Sequence, residues 1–277
     1  MLKQRIKLLL RRLVRSDRTP LPVARLVQMV RLGLDFKQRL HNPLRHIPEL
    51  ETGHLQYFLH GSSAVSSQER AKTLVMAVEQ VIGGQVQGDI AEFGTMTGTS
   101  ARYLAAAMSA FSHWDSSRHL HLFDSFEGFP EADNDIDRNS PHVASGIWGK
   151  GECYGIGPSY LSKMCRKFIP ESRIHIHAGW FNQTLPLLPK SCKFALVHLD
   201  CDLYQSTLSV LDDLFTHDRL TDGAVLLFDD WYCNRGNPDM GQQRAWKETV
   251  AKHNPRFELL GMYANCSMKV LIHAKAS

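Results

Sequence analysis

The chain has 277 residues, 43% of them hydrophobic, and a formal net charge of +4. That length suffices for one α/β core with an extension but is short for two independent enzymes. The cysteines Cys153, Cys165, Cys192, Cys201, Cys233 and Cys266 stand singly with no C-x-x-C pair, which argues against a disulfide framework or a structural zinc site and fits a reducing cytoplasm.

Charge is unevenly spread. Residues 1–45 hold twelve Lys or Arg against Asp17 and Asp35, a net +10 that leaves −6 on the remainder. Leu2, Ile6, Leu9, Leu10 and Leu13 share one helical face, while Lys3, Lys7, Arg11 and Arg15 lie off it. Such a basic amphipathic helix suits an anionic membrane surface, a packing or oligomerisation contact, or a transit peptide. Arg11 and Arg12 interrupt the apolar run, so there is no signal-peptide core, and no stretch approaches the ~20 apolar residues of a bilayer span. A soluble, cytoplasmic protein is expected, with peripheral membrane contact open to the first segment. The basic stretch lacks interleaved aromatics, and nucleic acid is therefore not an expected partner.

Thr19-Pro-Leu-Pro22 and Asn42-Pro43 punctuate two apolar-periodic stretches, giving a helical extension over residues 1–50 and a main domain over 51–277. Ser66 and Glu69 have capping-box spacing for a helix that Gly83-Gly84 should stop. Strands and helices then alternate: strand 89–93, helix 100–110, strand 119–123, a long loop, helix 159–168, strand 173–178, strand 194–199, helix 204–215, strand 224–228 and helix 241–252. Two strands near 257–262 and 267–273 have no helix between them and should close the sheet as an antiparallel hairpin. The order predicts an α/β fold with a mostly parallel sheet. The loop from Ser125 to Pro158 is too long for a plain connection and reads as a lid or binding element.

The runs Phe194–Leu199 and Ala224–Phe228 stop abruptly at carboxylates: Asp200 and Asp202 after the first, Asp229 and Asp230 after the second. Ligands of open α/β sheets gather outside the carboxyl ends of the strands, so these four should converge on one cleft. A hard divalent cation such as Mg2+ would hold them together. Glu92-Phe-Gly94-Thr-Met-Thr-Gly98-Thr-Ser100 joins the first strand to its helix with G-x-x-x-G spacing, and Asp124 ends the second strand where an acid accepts a ribose diol. With no Lys or Arg in that turn, the pocket suits a cationic amino-acid nucleoside, S-adenosylmethionine, better than a pyrophosphate. Gly179-Trp180-Phe181 follows the third strand, where Trp180 could face adenine or pack in the core.

The chain resembles the macrocin O-methyltransferase (TylF-like) family of S-adenosylmethionine- and metal-dependent sugar methyltransferases over roughly residues 66–273. The resemblance rests on Gly88-Asp-Ile-Ala-Glu92-Phe-Gly94, Asp124-Ser125-Phe126-Glu127-Gly128-Phe129-Pro130, Gly179-Trp180-Phe181, Asp200-Cys-Asp202-Leu-Tyr204-Gln-Ser206-Thr207 and Asp229-Asp230-Trp231. It implies a class I methyltransferase sheet of Rossmann-like type. It further implies cofactor binding by Glu92, Gly94, Ser100, Asp124, Ser125, Gly179, Trp180 and Phe181, metal ligation by Asp200, Asp229 and Asp230, and proton acceptance by Asp202. After Gly94 the family often has an aromatic or basic residue and a Gly-Gly pair, where this chain has Met96-Thr97-Gly98-Thr99. A sugar or glycosylated acceptor follows from the resemblance; a catechol-like phenol would satisfy the same metal chemistry. A nucleotide-dependent oxidoreductase lacks its glycine fingerprint here, and a non-catalytic docking module leaves the carboxylates unexplained. His198 precedes the carboxylates and is expected to be packed and hydrogen-bonded, and self-association is expected of the amphipathic extension.

Overall fold

The computed structural model describes residues 64–273, so the basic helical extension lies outside the described residues. Helix α1 (Ala64–Gly83) buries Leu74, Ala77, Val78 and Val81, spaced to make one apolar stripe. It already includes Ala64, which places Ser66 within the helix rather than at its cap. At its other end the Gly84 and Val86 amides donate to the Gln80 and Val81 carbonyls, and the chain turns into the sheet.

The strands are β1 (Asp89–Phe93), β2 (Leu120–Asp124), β3 (Ile174–Ala178), β4 (Phe194–Leu199), β5 (Leu220–Phe228), β6 (Arg256–Tyr263) and β7 (Ser267–His273). They form one seven-stranded sheet in the order β3-β2-β1-β4-β5-β7-β6, in which β7 alone runs against its neighbours. Helices α2 (Thr99–Ala110), α3 (Pro158–Cys165), α4 (Tyr204–Thr216) and α5 (Gly241–His253) complete the two covering layers. Every residue of β4 is buried, as a strand covered on both faces requires. The order reverses between β1 and β4, which opens a crevice at their carboxyl ends.

Two elements differ from expectation. Strand β5 starts at Leu220 rather than Ala224, because a register shift against β4 absorbs Asp222-Gly223, a pair that reads as a turn in sequence. The 125–158 segment carries short helical turns at Asp135–Arg138 and Pro141–Ala144 and is firmly docked. Asp137 accepts the backbone N–H groups of Tyr204 and Gln205, at 2.8 and 3.1 Å, capping α4 from outside its own helix. Trp148 is buried with Phe129 and Leu203 and stacks on His142, whose Nδ1 lies 2.8 Å from Asn234 Oδ1.

Candidate active site

Past the last strand residues the sheet ladder continues one more step. The Asp200 amide donates to the Phe93 carbonyl and the Asp229 amide to the Leu199 carbonyl, each at 2.9 Å. Asp202 sits in the left-handed region at φ 61°, which turns the chain sharply after β4. As a result Asp200, Asp202 and Asp230 each present an oxygen within 4.8 Å of the others. Burial and then the neighbouring carboxylates push all three pKa values well above the usual range: Asp229 acts on Asp200, Asp200 on Asp202, and Asp202 on Asp230. The Asp230 Oδ2 atom is buried with no hydrogen-bond partner. Oxygen donors this close, one of them orphaned, fit a hard divalent cation, and Asp200, Asp202 and Asp230 are the residues able to hold it.

Asp229 faces elsewhere. Its Oδ1 lies 2.6 Å from Arg70 Nε, 3.4 Å from Ser267 Oγ and 3.7 Å from His198 Nε2. Burial opposes its charge, but His198 and Arg70 outweigh that and hold its pKa below the usual value. Behind it, His198 Nδ1 lies 2.9 Å from Glu92 Oε1, with both side chains fully buried. Burial works against a charged His198, yet the Asp229 and Glu92 carboxylates prevail and lift its pKa to about 10. The packed, hydrogen-bonded histidine expected from sequence is therefore present. Of the Asp200, Asp229 and Asp230 ligand set expected from resemblance, Asp200 and Asp230 lie together with Asp202, the expected proton acceptor, while Asp229 is turned to Arg70 and His198. The reason lies in the tertiary contacts past the strand end: α1 brings Arg70 to Asp229, which turns toward it and toward His198.

Arg70, Gln242 and Ser267 carry no motif, and sequence reasoning missed them. Gln242, fully buried, accepts the Asp230 N–H and donates to the Leu199 carbonyl, both at 3.0 Å, and so pins the two strand ends together. Replacing Arg70 by Gln should destabilise the metal-free protein by about 1–3 kcal/mol, because it leaves the buried Asp229 with His198 as its remaining cationic partner. Added Mg2+ should then restore more stability to the variant than to the parent. Urea titrations with and without Mg2+ read both effects; equal stability of variant and parent would show that the pair is idle.

Beside the carboxylates lies a cavity of about 440 Å³, lined by Gly94, Met96, Asp124, Ser125, Trp180, Phe181, Asp200 and Asp202 and roofed by Gly128–Glu131 of the docked loop. Its described lining includes the carboxylates Asp124, Glu131, Asp133, Asp137, Asp200 and Asp202 and contains no Lys or Arg. Such a pocket is suited to a cationic ligand and hostile to a pyrophosphate. Of the residues expected at the cofactor, Gly94, Asp124, Ser125, Trp180 and Phe181 reach the wall, whereas Glu92, Ser100 and Gly179 are not among the lining residues. Trp180 is half-buried at the cavity, and Phe181 packs edge-on against Phe93 at 5.4 Å.

Asp124 is more engaged than a bare ribose acceptor would be. Its Oδ2 accepts from the Thr95 N–H at 2.7 Å, the Thr95 hydroxyl at 3.0 Å and the Met96 N–H at 3.2 Å, and its Oδ1 accepts from the Phe126 N–H at 2.7 Å. The carboxylate thus staples the turn after β1 to the turn after β2.

Residues 60–253 match the macrocin-O-methyltransferase (TylF) family, which is most of the chain. The chain belongs to this family. Among curated relatives, one from Streptomyces olivaceus is 8-demethyl-8-(2,3-dimethoxy-alpha-L-rhamnosyl)-tetracenomycin-C 4'-O-methyltransferase, 31% identical over 59% of this chain and 60% of its own length. A second, demethyldecarbamoylnovobiocin O-methyltransferase from Streptomyces niveus, is 26% identical over the same shares. The matched stretch therefore spans about 60% of the length of either relative. In fold, the chain is similar to the O-methyltransferase NovP, with a TM-score of 0.64 at 20% identity over 91% of this chain and 100% of that one. It is equally similar to the calicheamicin methyltransferase CalS11, with a TM-score of 0.64 at 24% identity over 88% of this chain and 91% of that one. The sheet is that of class I methyltransferases, as its strand order indicates. Among the described residues no helix is long and apolar enough to cross a membrane.

Proposed function

We propose that this chain is an S-adenosylmethionine-dependent O-methyltransferase that acts on a sugar hydroxyl of a glycosylated small molecule with the help of a divalent cation. The observation that carries the reading is the convergence of Asp200, Asp202 and Asp230 at the edge of a cavity with acidic and aromatic walls and no basic residue in its described lining. Both curated relatives are named as O-methyltransferases, and the rhamnosyl group in the name of the first supports the choice of acceptor.

In this reading the aromatic face of Trp180 and the stapled turn at Asp124 seat the nucleoside, and the acidic wall favours the sulfonium charge. Asp200 and Asp230 would hold the cation, which would supply positive charge beside the acceptor hydroxyl. Asp202, on the cavity side of the triad, takes the hydroxyl proton as the new C–O bond forms and the donor C–S bond breaks. Asp229 keeps the base of the site in place through Arg70 and His198.

Release of S-adenosylhomocysteine, measured with methyl-labelled donor and a panel of glycosides, nucleotide sugars and catechols, tests this directly. Turnover on a glycoside that stops with excess chelator and returns with Mg2+ is expected. Label transfer only to catechols, or undiminished turnover in chelator, would overturn the sugar or the cation assignment respectively. Asp124→Ala should weaken donor binding at least about tenfold, since the lost staple frees a buried turn as well as a ligand contact. Calorimetry giving parental affinity would remove Asp124 from the donor site.

A further inference from the structure

Along the paired strands β2 and β3, histidines recur at two-residue spacing. His119 and His121 belong to β2 and its approach, and His175 and His177 to β3, with His121 level with His175 in the register. Residues two apart in a strand share a face, so the four rings stand together. They stack in sequence: His119 on His175 at 4.8 Å, His175 on His121 at 4.7 Å, and His121 on His177 at 5.3 Å. Beside this row, Asp89 Oδ2 lies 3.3 Å from His121 Nε2, and the sulfur of Cys192 is within 4.8 Å of a donor atom of each residue.

We propose that Asp89, His121 and Cys192 form a second cation site, one for a borderline-soft transition ion of the Zn2+ class. The donor set decides the class. An imidazole nitrogen, a thiolate and one carboxylate suit Zn2+, whereas Mg2+ prefers oxygen donors throughout. The spacing agrees, because bonds of about 2.0–2.3 Å in a tetrahedron put donor atoms roughly 3.3–3.8 Å apart, and the His121 to Asp89 separation already falls there.

Two of the donors have a partner that aims the side chain, and the backbone of the third is held in its turn. His121 Nδ1 lies 3.1 Å from His177 Nε2, Asp89 Oδ1 accepts the His119 N–H at 2.8 Å, and the Cys192 N–H donates to the Pro189 carbonyl at 3.0 Å. When the ion binds, the Cys192 thiol proton leaves to solvent, and the His121 proton resides on Nδ1, where His177 accepts it. Three protein donors leave one position open to water or a small ligand. Asp89 opens β1 and Cys192 stands two residues before β4, so roughly 13 Å of strand separates this site from the carboxylates at the far ends. The inference therefore does not rest on the methyltransferase reading.

Cobalt(II), a spectroscopic stand-in for zinc, provides the test. The full chain, stripped with chelator and then exchanged into buffer with saturating Mg2+ to fill the carboxylate site, is titrated with Co2+. A stoichiometric thiolate-to-cobalt absorption band is expected, displaced by added Zn2+. Cys192→Ser should abolish the band while its circular dichroism stays parental, and Asp200→Asn should retain it. His177→Gln should keep the band but weaken Co2+ binding by about 10- to 100-fold, as loss of an orienting partner does. A parent without the band, or a band that survives in Cys192→Ser, would overturn the site.

Discussion

Replacing Asp200 or Asp230 by Asn is expected to lower turnover by about 10²–10³-fold while leaving S-adenosylmethionine affinity at the parental value. Both substitutions are nearly isosteric, so the packing around Gln242 and the strand ends should survive and the loss should be one of charge. Asp230 Oδ2 is buried without a partner and faces Asp202 across the site, an arrangement that costs free energy unless a cation sits among the carboxylates. Removing one of them therefore removes cation affinity before it removes anything else. Steady-state rates with varied Mg2+, set beside calorimetric donor binding, separate the two quantities. Turnover near the parental rate in Asp200→Asn would sink the cation site, and lost donor affinity would show that the two pockets are not distinct. Asp202→Asn extends the test: lost turnover with retained Mg2+ affinity marks the proton acceptor, whereas lost Mg2+ affinity marks a ligand.

Gly94→Ala should destabilise the protein by about 3 kcal/mol or more. A Cβ at this position would come 1.9 Å from the Asp200 carbonyl oxygen, and its φ of +89° is one that a side chain rarely adopts. Neither problem can be relieved by a rotamer change, because the obstacle is backbone at the end of β4. Relief means pushing Asp200 out of line, so the surviving folded fraction should also turn over poorly. The sequence presents Gly94 as a residue that lets a ligand approach; the structure adds that β1 and β4 touch there. Gly83→Ala is the matched control, since nothing lies within 4 Å of its added Cβ, and it should be neutral or stabilising by up to about 1 kcal/mol. Chemical denaturation of the two variants checks both. Parental stability in Gly94→Ala would contradict the packing described at the centre of the site.

Other features were readable only in part. The docked loop was legible as a functional segment from its length, but its anchoring was not: Asp137 caps α4 from 67 residues away, a relation no local spacing announces. The Asp124 carboxylate was legible as the acid that ends β2. Its commitment to Thr95, Met96 and Phe126 depends on how two turns meet.

By itself the sequence determined which segments become strands, because runs such as Phe194–Leu199 can only be buried on both faces, and it determined that Asp200, Asp202, Asp229 and Asp230 stand where those strands end. Tertiary structure alone decided which of them face one another. Period-two alternation orients side chains only while the strand lasts, and beyond it Asp202 turns through a left-handed residue while Asp229 is drawn to Arg70, 159 residues earlier in the chain. The pairing of β2 with β3, which brings His121 and His177 to each other, is decided in the same way, since strand order is a property of the assembled sheet.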